Sequence, residues 1–70
     1  MSVRLTPRQR QIIRALAAGA TNREIARRLG LKEQTVKNQL TVIYGQLGVR
    51  NRLELAVHIG RHRPDDATDD

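Results

Sequence analysis

Cysteine is absent from this 70-residue chain, as are Trp and Phe, and a single Tyr is its only aromatic residue. Without cysteine there is no disulfide to staple a small core and no thiol to serve as nucleophile or soft metal ligand. Its apolar runs are only a few residues long, which excludes a transmembrane helix and a signal peptide, since these need continuous apolar stretches. Acid is scarce until the very end. All four Asp lie in residues 65–70, after Pro64. Residues 1–63 carry thirteen Lys and Arg against Glu24, Glu33 and Glu54, a formal +10 within a chain whose net charge is +6. A body of that charge calls for a polyanion partner. The size allows one domain, and its stability has to come from helix packing, caps and a partner subunit.

Enzyme chemistry finds little to work with. The only Ser is Ser2, in the lead before the first helix. His58 and His62 stand four apart, a spacing that suits a metal, but the nearest acids are Asp65 and Asp66 of the tail. No metal site, cofactor or small-molecule ligand is expected, and no enzyme.

What the chain does have is helix punctuation. Thr6-Pro7-Arg8-Gln9 combines a cap, a proline at the first helical position and a capping-box Gln. A helix over about 7–18 follows, with Ile12, Ile13 and Leu16 inward, closed by Gly19. Thr21-Asn22-Arg23-Glu24 is a second box and opens a helix over 22–29 that ends at Gly30. Ile25, Ala26 and Leu29 form its apolar side, and Arg23, Arg27 and Arg28 its wet side. A tight turn, Gly30-Leu31-Lys32, leads into a third helix over 33–47, closed by Gly48. Asn51-Arg52-Leu53-Glu54 is a third box and opens a fourth helix over about 52–62, with Leu55, Ala56 and Ile59 on its core side. The expected fold is all-α, four short helices around one core. Residues 1–63 form the domain, and residues 64–70 form an acidic tail that has nothing to bury and is expected to be disordered.

The third helix carries the chemistry. Its sequence, EQTVKNQLTVIYGQL, sets Val36, Leu40, Ile43 and Leu47 on one apolar stripe. Gln34, Thr35, Lys37, Asn38 and Thr41 fall off that stripe as a face of short polar groups. Such a face can donate to and accept from base edges in the DNA major groove. A short helix with a small inward Ala26, a three-residue turn containing Gly and then a polar-faced helix make the helix-turn-helix pattern. On the fourth helix Leu53, Val57 and Gly60 add an apolar flank beyond the core side, which fits a second copy of the chain or completes a thin core.

These residues also resemble a known family, the LuxR-type (GerE-like) helix-turn-helix domain of bacterial transcription regulators. The resemblance covers Leu5 to about Ile59 and rests on Leu5-Thr6-Pro7-Arg8, Asn22-Arg23-Glu24-Ile25-Ala26, Gly30-Leu31, Thr35-Val36-Lys37 and Leu47-Gly48-Val49 with Arg52 following. It implies that the third helix reads the major groove and that the fourth forms a two-fold contact. Carried over position by position, it puts Lys37, Asn38 and Thr41 against bases. It puts Arg23, Gln34, Thr35, Arg50 and Asn51 near phosphates, and Leu53 and Val57 at the dimer contact. The chain departs from the family at Gln9 (usually Glu), Lys32 (usually Ser or Thr), Gln39 (often His) and Gly45 (usually Arg or Lys). Lys32 removes a cap from the third helix, about 1 kcal/mol unless it takes a phosphate. The family's domain usually follows a receiver or sensing domain. Here Met1 stands four residues before the motif, which fits either a free-standing effector domain or a piece of a longer regulator, with the starting Met and the acidic tail leaning to the former.

The sequence therefore predicts a transcription regulator that binds double-stranded DNA sequence-specifically as a homodimer in the cytoplasm, on the nucleoid. A sigma-factor-like promoter reader shares the motif, but the chain offers no second region for polymerase. A protein-interaction module on the same scaffold, docking on another regulator, is the alternative from outside nucleic-acid binding.

Overall fold

Three threonine- and asparagine-led caps and three glycines divide the chain into four helices. The computed structural model describes residues 4–61: α1 (Pro7–Ala17), α2 (Asn22–Leu29), α3 (Glu33–Leu47) and α4 (Arg52–Arg61). No strand occurs among the described residues. The boundaries of α2 and α3 are those the capping signals predict, and α1 stops one residue earlier, with Ala18 as its C-cap. The expectations for His62 and for the acidic tail at 64–70 lie outside the described residues.

Both predicted threonine boxes form reciprocally. Gln9 N–H donates to Thr6 Oγ1 at 3.1 Å while Thr6 N–H donates to Gln9 Oε1 at 2.9 Å. Glu24 and Thr21 repeat the pattern at 3.1 and 2.8 Å. Gln9 is buried, so the neutral side chain at this position lets the box close beneath the core edge without burying a charge. The third box differs in one bond. Asn51 Oδ1 accepts from Glu54 N–H at 2.9 Å, but the Glu54 carboxylate accepts from Arg50 N–H at 2.7 Å, one residue before the cap.

The three helix ends share one device. The N–H of the residue after each closing glycine reaches back five residues: Ala20 to the Ala15 carbonyl at 3.0 Å, Leu31 to Ala26 at 2.8 Å and Val49 to Tyr44 at 3.0 Å. This is the Schellman closure, which requires the left-handed backbone seen at Gly30 (φ 67°) and Gly48 (φ 70°). Its usual companion is an apolar residue folded back on the helix. Ala20 is buried, and Leu31 and Val49 are half-buried against the core.

The core is built from Ile12, Ile13 and Leu16 of α1, Ile25 and Ala26 of α2, Val36, Leu40 and Ile43 of α3, and Leu55 and Ile59 of α4. α1 packs on all three other helices, and α3 is carried chiefly on α2 with α1 behind it. Ala26 is 5% exposed where α2 meets α3 and permits their close approach. Ala56, expected on the core side of α4, is instead exposed. Leu55 and Ile59, four apart, are the residues of α4 that enter the core, and Ala56, about 100° round the helix from Leu55, falls outside that contact. No helix among the described residues is long and apolar enough to cross a membrane.

Candidate nucleic-acid interface

The α2–turn–α3 unit presents α3 with one flank sunk and the other open. Val36, Leu40 and Ile43 are buried, and Leu47 is half-buried against them. Gln34, Lys37, Asn38 and Thr41 are exposed, and Thr35 and Gln39 are half-buried at the margins. The three residues expected to face bases therefore share one open surface. Their polar groups are partly committed to one another. Gln34 Nε2 donates to Asn38 Oδ1 at 3.0 Å, and Thr41 Oγ1 donates to the Lys37 carbonyl at 3.1 Å. The face is not free of acid at its start: Glu33 is exposed one turn before Lys37. An acid in the first turn complements the helix dipole.

The start of α3 also differs from those of the other helices. Lys32 occupies the cap position in extended backbone (φ −79°, ψ 149°) and makes no side-chain cap bond. The first-turn amides thus keep donors that Thr6, Thr21 and Asn51 engage elsewhere. Uncapped amides at a helix start, with a Lys beside them, suit a phosphate oxygen. Arg23 on α2 and Arg50 before α4 are exposed cations in the same group of expected phosphate contacts. Asn51 caps α4 with its carbonyl oxygen, and its N–H groups are what it can offer to a phosphate, which only accepts.

On α4, Leu53 is 74% and Val57 50% exposed, and Gly60 is exposed beside them. The apolar flank therefore does not complete the core. It borders an open groove lined by Val49, Leu53, Glu54, Val57, His58 and Arg61. His58 is half-buried at that border. Among the described residues, no three His, Cys, Asp or Glu gather where they could hold a metal.

Two side-chain roles are not visible in the capping and stripe patterns. Arg52 reaches from α4 to the α1–α2 junction, where Nη1 donates to Asn22 Oδ1 at 3.1 Å and Nη2 donates to the Ala20 carbonyl. It pins the α4 flank to the helix-turn-helix unit. Nothing local signals a bond spanning thirty residues. Val42 is 52% exposed, one turn after Asn38 on the open surface of α3. Its signal was present: an apolar residue off the Val36–Leu40–Ile43–Leu47 stripe.

Among the described residues, the one carboxylate whose affinity for protons clearly departs from the ordinary is Glu24. The Thr21 backbone N–H, then its hydroxyl, hold it below the usual carboxylate range, with Arg28 and Arg27 adding to the effect.

With this geometry in place, comparison with known proteins is decisive for the family. The model of the bacterial regulatory proteins of the luxR family (GerE) matches residues 3–59. The chain belongs to the luxR family. The luxR-family domain here is 51% identical over 51 residues to the "Probable HTH-type transcriptional regulator GfsR" of Streptomyces halstedii, covering 73% of this chain and 21% of that protein. It is 45% identical over 60 residues to the "Probable transcriptional regulatory protein SgaR" of Hyphomicrobium methylovorum (84% and 28%). It is 39% identical over 59 residues to the nitrate/nitrite response regulator protein NarL of Escherichia coli K12 (84% and 27%). The chain thus spans less than a third of the length of these relatives.

Proposed function

We propose that this luxR-family domain is the DNA-reading part of a transcription regulator, with α3 lying in the major groove of double-stranded DNA. The observation that carries this is the open polar surface of α3, on which Lys37, Asn38 and Thr41 stand together, opposite the buried Val36, Leu40 and Ile43. The ammonium of Lys37 is a donor matched to the N7 and O6 acceptors of guanine, Asn38 and Thr41 supply further polar contacts, and Val42 can rest on a thymine methyl. Arg23, Lys32, Thr35, Arg50 and the amide of Asn51 attach the domain to phosphates. Gln34, which the resemblance also puts near phosphates, has its amide nitrogen on Asn38.

The proposal includes a homodimer formed on DNA through α4. Exposed Leu53 and Val57 beside Gly60 are the wrong surface for water and the right one for a two-fold copy of themselves. Two α3 helices would then sit about one helical turn, roughly 34 Å, apart on an inverted repeat. The place of action is the bacterial cytoplasm, on the nucleoid. The same α4 flank is what favours the second reading, a module that docks on another regulator.

The test separates the roles. Lys37→Ala relaxes base preference, whereas Arg23→Ala weakens all duplexes alike and reduces the salt slope of binding by about 1. Identical behaviour of the two variants would refute the assignment. A chain that binds no duplex at low salt but captures a regulator through Leu53 and Val57 would establish the docking module instead.

A further inference from the structure

The bond between Gln34 and Asn38 has a consequence for which base is read. The two side chains are exposed one turn apart on α3, and Gln34 Nε2 donates to Asn38 Oδ1 at 3.0 Å. An unengaged Asn offers a carbonyl and an amide side by side, the pair that matches the N6 amine and N7 of adenine. With its carbonyl already accepting from Gln34, Asn38 keeps both Nδ2 hydrogens and one remaining carbonyl lone pair, so its outward side is weighted towards donation. We propose that Gln34 is a positioning residue that sets the base preference of Asn38, making it a donor to guanine or thymine rather than a bidentate reader of adenine. This rests on the reading of α3 as the base-reading helix, and it gives Gln34 a role other than phosphate contact.

The neighbouring groups are polarised in a complementary way. Lys37 can only donate. Thr41 gives its hydroxyl hydrogen to the Lys37 carbonyl at 3.1 Å, so the outward side of its oxygen accepts. The surface then carries two donors followed by an acceptor. Lys37 and Asn38 call for base edges with N7, O6 or O4 acceptors, and Thr41 calls for the exocyclic amine of adenine or cytosine. The donor–acceptor order, and not the bare list of side chains, specifies the site.

The experiment is a set of parallel selections from a randomised duplex library with the unmodified chain and with Asn38→Ala, Gln34→Ala and Gln34→Glu. Both positions of change, Gln34 and Asn38, carry solvent-exposed side chains of α3. Asn38→Ala identifies the base pair that Asn38 faces, as the one whose preference is lost. At that pair the unmodified chain should select guanine or thymine. Gln34→Ala frees the carbonyl and should move that single pair towards adenine by roughly tenfold or more in relative affinity. Glu can only accept, so Gln34→Glu draws the Asn38 amide inward and should favour the amine of adenine or cytosine there. Adenine at that pair with the unmodified chain would overturn the proposal. So would an unchanged site with uniformly weaker binding for Gln34→Ala, the mark of a phosphate contact. If the unmodified chain enriched no sequence at all, the base-reading role of α3 itself would fall, and this inference with it.

Discussion

Replacing Arg52 with Ala should cost more stability than its half-buried position suggests. The guanidinium donates to Asn22 Oδ1 and to the Ala20 carbonyl, joining α4 to the α1–α2 junction. Hydrogen bonds from a charged donor each contribute about 1.5–3 kcal/mol. The two bonds do not count equally. Ala20 is 3% exposed, so its carbonyl is left unpaired where water reaches it poorly, whereas half-buried Asn22 regains water. The expected loss is about 2–4 kcal/mol. A domain of this size has only about 3–10 kcal/mol in all, and the melting temperature should fall by roughly 10–30 °C. Thermal unfolding followed by circular dichroism reads this directly. Arg52→Lys should recover less than half, because an ammonium cannot fork to two acceptors set apart. A melting temperature for Arg52→Ala within about 2 °C of the parent would refute the view that this side chain holds α4 in place.

Three further outcomes follow from the same geometry. Gly45 is helical and exposed, and a Cβ built there meets nothing within 4 Å, so Gly45→Ala should stabilise by up to about 1 kcal/mol in urea denaturation; a loss would show a role for the glycine that the packing does not reveal. Ala26→Leu forces α2 from α3 and should destabilise by about 1–3 kcal/mol while weakening binding to every duplex; unchanged stability would mean that the contact is loose. Glu24 is held below the usual carboxylate range, first by the Thr21 backbone N–H. It therefore contributes stability that is present above its unfolded-state pKa and is lost as pH falls through the lowered folded value. Glu24→Gln keeps a capping side chain, as Gln9 does on α1, and should flatten the acid limb of a stability–pH curve; an unchanged limb would place the acid sensitivity elsewhere.

Much of this fold was legible because its signals are local. A Thr followed three residues later by Gln or Glu, and a Gly at each helix end, mark boundaries through bonds among neighbours, and those bonds form at Thr6, Thr21, Gly30 and Gly48. The stripe on α3 was legible for the same reason, since helical periodicity alone sends Val36, Leu40 and Ile43 inward. Long-range choices were not. Nothing within α4 says that Leu55 and Ile59 suffice for the core and leave Ala56 outside. Nothing near Arg52 points to Ala20 and Asn22. At the site, residue types gave the open surface of α3, but not that Gln34 would engage the Asn38 carbonyl or that Asn51 would spend its oxygen on a cap. Each depends on which of several partners a side chain meets, and only the folded geometry decides that.

The most direct test of α3 as a DNA-reading helix is selection from a randomised duplex library by the purified chain, with the recovered DNA sequenced. The account predicts an enriched inverted repeat whose halves lie about one helical turn apart. A single short site would keep the reader and remove the α4 dimer. Recovery without enrichment, falling steeply with salt, or no recovery at all, would contradict the claim that α3 reads sequence.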